Sequence, residues 1–398
     1  MNALICCYCD LRFGGGGATL ARNVAISLKR AGFEVLILSH SNREVIRDSV
    51  ENIPVEYHYV NSGWSWRWPL LVRERKLAAY LKKTIKCPDV FFSVSPFYVN
   101  AAKKAWPEVR IVYLFPCLLW RCLPFVSGGG ARSFTDRFNH WLIGRSEKKA
   151  LMSSDLTILQ GPSVVEDVLD FVDVPREKLV VAPTGVDDMQ QLLKKSRNEV
   201  RRYWNTPFSS RVFVTVGSLD RNKNQSAIIE AFSRLSDESA YLWIVGTGVM
   251  AADWEHYSAE LGVAERVRFM GNRNDLADIY TAADVYVHAA WYDNFPNVYL
   301  EAMVCGLPLI GPRGEFPDVI SPLDGIIEEK VHGVSYSLRQ RDGLEGAMKY
   351  MLDRPEEELT EMGRRARVLA LDAFSWEKYQ SQLLQAVSMR NAEVIYES

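Results

Sequence analysis

Short apolar runs and amphipathic stretches alternate along almost the whole of this 398-residue chain. Residues 3–8 are apolar at nearly every position and predict a buried strand. Residues 18–31 carry apolar side chains at helical spacing, with Gly32 as the stop signal. Residues 34–38, 90–94, 110–115 and 156–159 are further strand-like runs, and 179–182 is another just before Pro183 and Gly185. After a charged, helix-prone connector at 190–203 the rhythm resumes: strands at 212–216, 241–245, 267–270, 285–288 and 307–310, with helices at 225–235 and from Gly248 to Leu261. Strands that alternate with helices and read as continuous apolar runs belong to parallel sheets covered on both faces. The expectation is two open α/β domains: residues 1–187, residues 188–372, and a C-terminal helix in 373–398 that returns to the first domain.

Composition agrees with a folded protein large enough for two cores, at 48% hydrophobic and 24% charged residues. The net charge of −2 conceals a division. Residues 1–150 hold 22 Lys and Arg against 11 Asp and Glu, and the remainder holds 25 against 38. A basic half suits an anionic partner, either a membrane leaflet or nucleic acid, although no recognisable nucleic-acid module is present. The segment from Trp64 to Pro69 interleaves Trp with Arg67, and Arg73, Arg75, Lys76, Lys82, Lys83 and Lys86 follow. That pattern suits the interface of an anionic membrane, with a buried Trp cluster and a solvated basic helix as the alternative.

Among the seven Cys, Cys6, Cys7 and Cys9 lie in or beside the first apolar run and read as reduced core thiols. Cys6 and Cys9 have C-x-x-C spacing without a second pair or a nearby His, so no metal is expected. The N-terminus has no secretory pattern, and no apolar run reaches the ~20 residues of a spanning helix. A cytoplasmic location is expected, peripheral at the membrane if the basic half docks there.

Three strand–helix loops carry the candidate chemistry. Gly14, Gly15, Gly16 and Gly17 follow the first strand. They suit close approach of a phosphate or sugar, or a flexible turn, but lack the spacing of a dinucleotide site. Gly217 to Asn224 includes Ser218 and two cations, Arg221 and Lys223, placed where a diphosphate leaving group could be neutralised, with a solvated basic turn as the alternative. The third is the sharpest: Asp293, Asn294, Phe295, Pro296, Asn297 and Val298 lead into a helix that carries Glu301 one turn in. Two carboxylates for hydroxyls then flank a helix N-terminus suited to phosphate.

From Val212 to Ser337 the chain resembles the C-terminal domain of the group 1 (family four) retaining glycosyltransferases. Asp293 and Glu301 take the two positions of a Glu-x7-Glu signature, followed by Ala302, Met303, Gly306 and Pro308. Val245–Gly248, the block from Val267 to Arg273 and the block from Tyr280 to Val285 match in order. The resemblance implies a GT-B fold of two Rossmann-like domains and transfer of a hexose from a UDP- or GDP-sugar. The acceptor implied is a lipid-linked or saccharide chain in polysaccharide or lipopolysaccharide synthesis, without metal or cofactor. It assigns Glu301 to the ribose, Asp293 to sugar hydroxyls, Lys223 with Arg221 to the diphosphate, the backbone near Gly248 and Arg273 to the base, and Gly15 and Gly16 to phosphate or acceptor. Three departures stand out: Asp replaces the first Glu, Ser218 replaces a phosphate-binding Arg, and the run from Val112 to Cys117 lacks the His usual there. Asp10, Asp136 and His140 are candidates in its place. A non-catalytic nucleotide-sugar or glycan-binding homologue is the alternative.

Overall fold

A computed structural model describes residues 1–7, 16–41, 46–50, 53–59, 70–121, 134–295, 297–316, 318–321, 323 and 326–388. Gly15, Asp10, Cys9, Pro296 and the Trp64–Trp68 cluster lie outside these. The chain divides into two compact units. The first holds Met1–Leu123, Ala131–Pro183 and the C-terminal chain from Glu377, and the second holds Thr184–Trp376.

In the first unit the strands are β1 (Asn2–Cys7), β2 (Glu34–Ser41), β3 (Ile46–Val50), β4 (Ile53–Tyr59), β5 (Val90–Ser93), β6 (Arg110–Leu114), β7 (Leu156–Leu159) and β8 (Leu179–Val181). They form one sheet of order β3-β4-β2-β1-β5-β6-β7-β8, parallel except for the β3–β4 pair. The helices are α1 (Gly16–Arg30), α2 (Leu70–Thr84), α3 (Pro96–Ala105), α4 (Phe134–Ser153) and α5 (Ser163–Phe171). Ile5, Phe91, Phe92, Ile111 and Val112 have no exposed surface, as expected of central strands covered on both faces.

The second unit contains α6 (Arg197–Tyr203), β9 (Val212–Val216), α7 (Gln225–Ser233), β10 (Tyr241–Val245), α8 (Ala251–Glu260), β11 (Val267–Gly271), α9 (Leu276–Ala282), β12 (Val285–Val287), α10 (Asn297–Val304), β13 (Leu309–Pro312), β14 (Gly333–Tyr336), α11 (Gly343–Leu352) and α12 (Glu356–Ala373). Its six strands are all parallel, in the order β11-β10-β9-β12-β13-β14. Alternate residues feed two cores. Val212, Val214, Val216, Trp243, Tyr286 and Leu309 pack on the side of α10 and α12. Phe213, Leu242, Ile244, Val285, Val287 and Ile310 pack on the side of α7, α8 and α11. This period of two is why both faces of each strand are apolar.

The last helix, α13 (Trp376–Ser388), packs from Glu377 onward with the first unit. Arg110 donates to the carbonyl oxygens of Ala386 and Val387 there, and Gln380 reaches Ser27 O at 3.5 Å. Strands β3, β4 and β14 were not anticipated from sequence. β3 and β4 mix apolar with charged residues, and β14 is a four-residue edge strand with Gly and Ser.

Candidate functional site

In the second unit the chain leaves β9 to lay β10 and β11 on one side, then returns to lay β12, β13 and β14 on the other. The strand order therefore reverses between β9 and β12, and open α/β sheets bind ligands beyond the carboxyl ends of strands at such a switch point. The loops that leave these two strands are the two that carry the charged candidates.

The loops are built as one piece. Asn222 Nδ2 donates to Tyr292 O at 2.8 Å, Tyr292 N donates to Asn222 Oδ1 at 3.0 Å, and Trp291 N donates to Asn222 O at 3.0 Å. Asn224 takes the left-handed conformation at φ 53° just before α7, which Asn tolerates better than most residues. The loop after β10 closes against the same floor: Leu219 N donates to Thr247 O and Met250 N to Leu219 O, both at 3.0 Å. A Cβ at Gly246 (φ 139°) would stand 1.9 Å from Gly217 O, and one at Gly248 would stand 2.2 Å from Leu219 O. Glycine at these positions is a condition of the three loops meeting.

Across this floor Lys223 pairs with Asp293. The ammonium bonds carboxylate oxygen Oδ2, and His288 Nε2 lies 3.2 Å from the same oxygen. Neither contact uses Oδ1, and the Asp293 side chain keeps 15% exposure. Burial opposes ionisation of Asp293, but the Lys223 charge and the His288 contact outweigh it and hold the carboxyl at about 2. Burial pushes His288 below the usual imidazole value, with Asp293 opposing. A neutral ring next to a carboxylate, which only accepts, carries its proton on Nε2. Its Nδ1 lies 3.3 Å from Tyr286 OH.

Asn297 opens α10, and Glu301 is its fifth residue. Burial raises the Glu301 carboxyl, and the Tyr280 hydroxyl, donating to Oε2 at 3.1 Å, offsets part of this. Val298 is half-buried against the core, and Asn294 is 4% exposed. Arg221 is exposed and forms no ion pair among the described residues. Ser218 is exposed too, its hydroxyl donating to Asp220 Oδ2 at 2.5 Å. Two of the candidate residues have their side chains already engaged. Phe295 is 5% exposed with its ring against Phe374 at 5.4 Å, so the ring is core and only its backbone is left for a ligand. The Arg273 guanidinium is held by Asp275 at 2.7 and 2.8 Å and lies 5.6 Å from the Trp204 ring centroid, so its charge is already matched.

Sequence reasoning passed over His288, Asn222 and Tyr280. His288 closes an apolar run and reads as the end of a strand; only its place five residues before Asp293 was a signal. In the first unit, Gly16 and Gly17 are the first two residues of α1. His140 stacks on Trp120 at 5.3 Å and its Nε2 is 2.5 Å from Trp120 O, beside the loop that follows β6. The Asp136 side chain lies outside the described residues. No group of described residues is suited to hold a metal ion, and no described helix is long and apolar enough to cross a membrane.

Comparison with known proteins adds the lineage. The profile of the family described as Glycosyl transferases group 1 matches residues 210–354, and that of Glycosyltransferase Family 4 matches residues 14–190. The N-acetyl-alpha-D-glucosaminyl L-malate synthase of Bacillus anthracis is 24% identical over 233 residues, 58% of each chain. The lipopolysaccharide core biosynthesis glycosyltransferase LpsE of Rhizobium meliloti is 33% identical over 112 residues, 28% of this chain and 32% of the relative. The match thus spans from about a third to rather over half of these relatives' length. Among solved structures, Anabaena HepE in complex with UDP superposes with a TM-score of 0.72 at 17% identity, over 98% of this chain and all of the other. WaaG, a glycosyltransferase involved in lipopolysaccharide biosynthesis, superposes with a TM-score of 0.75 at 16% identity, over 97% of this chain and all of the other. Two family profiles on successive parts of the chain, over a pair of Rossmann-like sheets, lead to one statement: this chain belongs to the group 1 glycosyltransferases and has the GT-B fold.

Proposed function

We propose that the chain transfers a hexose from a nucleoside diphosphate sugar to a lipid-linked or saccharide acceptor in cell-surface glycan synthesis, with retention at the anomeric carbon. The observation that carries this reading is the Lys223–Asp293 pair at the switch point of the second sheet. A cation for a diphosphate and a carboxylate for sugar hydroxyls stand in one ion pair, and a helix that bears Glu301 begins four residues after Asp293. UDP is the favoured nucleotide, because HepE was solved with UDP and with UDP-glucose. The lipopolysaccharide transferases among the relatives support a glycan acceptor.

In this reading Lys223 and Arg221 neutralise the diphosphate as the bond from anomeric carbon to phosphate oxygen breaks. The acceptor oxygen bonds the anomeric carbon from the same face, and its proton passes to the departing phosphate oxygen. Asp293 Oδ1 accepts from a sugar hydroxyl, and Glu301 accepts from the ribose. Backbone near Gly248 and Arg273 meets the base.

The basic first unit is the part suited to an anionic membrane. On α4, Arg137, Phe138, Trp141, Arg145, Lys148 and Lys149 are all exposed, without an exposed acidic residue between them.

A screen of nucleoside diphosphates by thermal shift tests the donor reading. UDP at a hundred times its Kd adds about 2.7 kcal/mol of stability, a readily measured rise in Tm. No rise with UDP, GDP or any other nucleoside diphosphate at millimolar concentration sinks it.

A further inference from the structure

His288 is 3% exposed and is fixed from every side. Its backbone N donates to Ile310 O at 2.8 Å, and its carbonyl accepts from Tyr336 OH at 2.9 Å. Tyr299 packs edge-on at 4.9 Å between ring centroids, and Tyr286 lies 3.3 Å from Nδ1. The remaining nitrogen meets Asp293. Lys223 is of the opposite kind, a four-carbon stem with 22% side-chain exposure whose ammonium bonds the same carboxylate oxygen. Both side-chain partners of Asp293 among the described residues thus share Oδ2, one on a movable arm and one on a buried ring.

A diphosphate that enters the loop after β9 competes with Asp293 for the Lys223 ammonium. It carries more charge than the carboxylate and draws the lysine away. Asp293 then retains one partner on Oδ2, the His288 Nε2–H. We propose that His288 is the positioning residue of the donor site: it keeps the Asp293 carboxylate seated, with Oδ1 free for the sugar, when Lys223 moves to the diphosphate. This rests on the donor-site reading above and adds an order of events. One preformed pair opens, and its two halves read two parts of the donor. Of this pair, the nucleotide without its sugar needs only Lys223. The nucleotide sugar needs Asp293 in place as well, and therefore His288.

The test compares the affinity of UDP and UDP-glucose by titration calorimetry in the wild type, His288→Phe and His288→Gln. Phe keeps a ring against Tyr299 but has no N–H. Gln places an amide N–H close to where the imidazole Nε2–H stands. Loss of a hydrogen bond to a charged group predicts that His288→Phe weakens UDP-glucose about tenfold or more and leaves UDP within about twofold. His288→Gln recovers most of the UDP-glucose affinity. Undiminished UDP-glucose binding in His288→Phe overturns the inference, and so do equal losses for both ligands in both variants. If neither ligand binds the wild type, the donor reading falls, and the ring nitrogen shifts of His288 in the free chain judge the contact alone. A proton on Nε2 that responds to Asp293→Ala upholds it; a proton on Nδ1 overturns it.

Discussion

Glu301 and Asp293 are both carboxylates at the start of one helix, and their surroundings push them in opposite directions. Asp293 has a cation and an imidazole on it, so its charge is offset before any ligand arrives. Glu301 has a phenol hydrogen bond and no cation among the described residues, so its ionised form carries an unreturned solvation cost. A carboxyl whose folded value is raised stabilises the fold below its ordinary value, and that stability is lost as pH rises to the folded one. Glu301→Gln should therefore hold or raise the Tm of the free chain above the ordinary carboxyl range and flatten its fall with pH. The same change should weaken UDP about tenfold, as expected for a lost hydrogen bond to a charged acceptor. Thermal unfolding from pH 4 to 8 with a UDP titration at pH 7 reads both; a lower Tm with unchanged UDP affinity would make Glu301 a structural residue. The spacing of this pair was legible in sequence because it is local. His288 was not, since its role depends on Tyr286, Tyr299 and Asp293 converging from β12, α10 and the loop between them.

Among elements, the loop after β6 shows how a helix can set a strand's exit. Glu147, in the middle of α4, has no exposed surface; its Oε1 accepts from Leu119 N at 2.7 Å and its Oε2 from Trp120 N at 3.1 Å. Burial, with Asp167 adding to it, pushes this carboxyl up to about 8 against the two backbone hydrogen bonds. The unfolded chain releases this proton first, so stability falls as pH rises from the ordinary carboxyl range to about 8. Glu147→Gln should remove that slope, and Glu147→Ala, which strands two buried amides, should cost roughly 2–4 kcal/mol. Urea unfolding at pH 5, 7 and 9 checks both. An unchanged slope in Glu147→Gln would place the titration elsewhere. Central strands such as β5, β9 and β10 could be read from sequence because burial on both faces makes them apolar throughout. The strands β3, β4 and β14 could not, because charged or small polar residues interrupt their apolar runs, β3 and β14 are edge strands, and β3 pairs antiparallel in an otherwise parallel sheet. The side chains of Phe295 and Arg273 were not legible for a related reason: a motif gives a position in the chain, while packing on Phe374 and pairing with Asp275 decide where the side chain goes.

For the whole molecule, the division of charge follows the division of the chain. The basic residues concentrate in 1–150, most of which falls in the first unit, and the acidic excess falls in the remainder, which includes the sheet of the second unit. Attraction of Lys and Arg to an anionic leaflet is worth about 1 kcal/mol per residue near the surface and fades with salt. The chain should therefore float with vesicles that contain anionic lipid at low salt, and release when Arg145, Lys148 and Lys149 are changed together to Gln. No flotation at low salt would show that the first unit does not dock on an anionic leaflet. The proposed donor site lies at the β9–β12 switch point, with Lys223 assigned to the diphosphate and Asp293 to the sugar. Its most direct measurement is UDP-glucose binding and turnover by the wild type, Lys223→Ala and Asp293→Ala. Lys223→Ala should weaken UDP and UDP-glucose alike, whereas Asp293→Ala should weaken UDP-glucose about tenfold and spare UDP. Wild-type affinity for both ligands in both variants would contradict it.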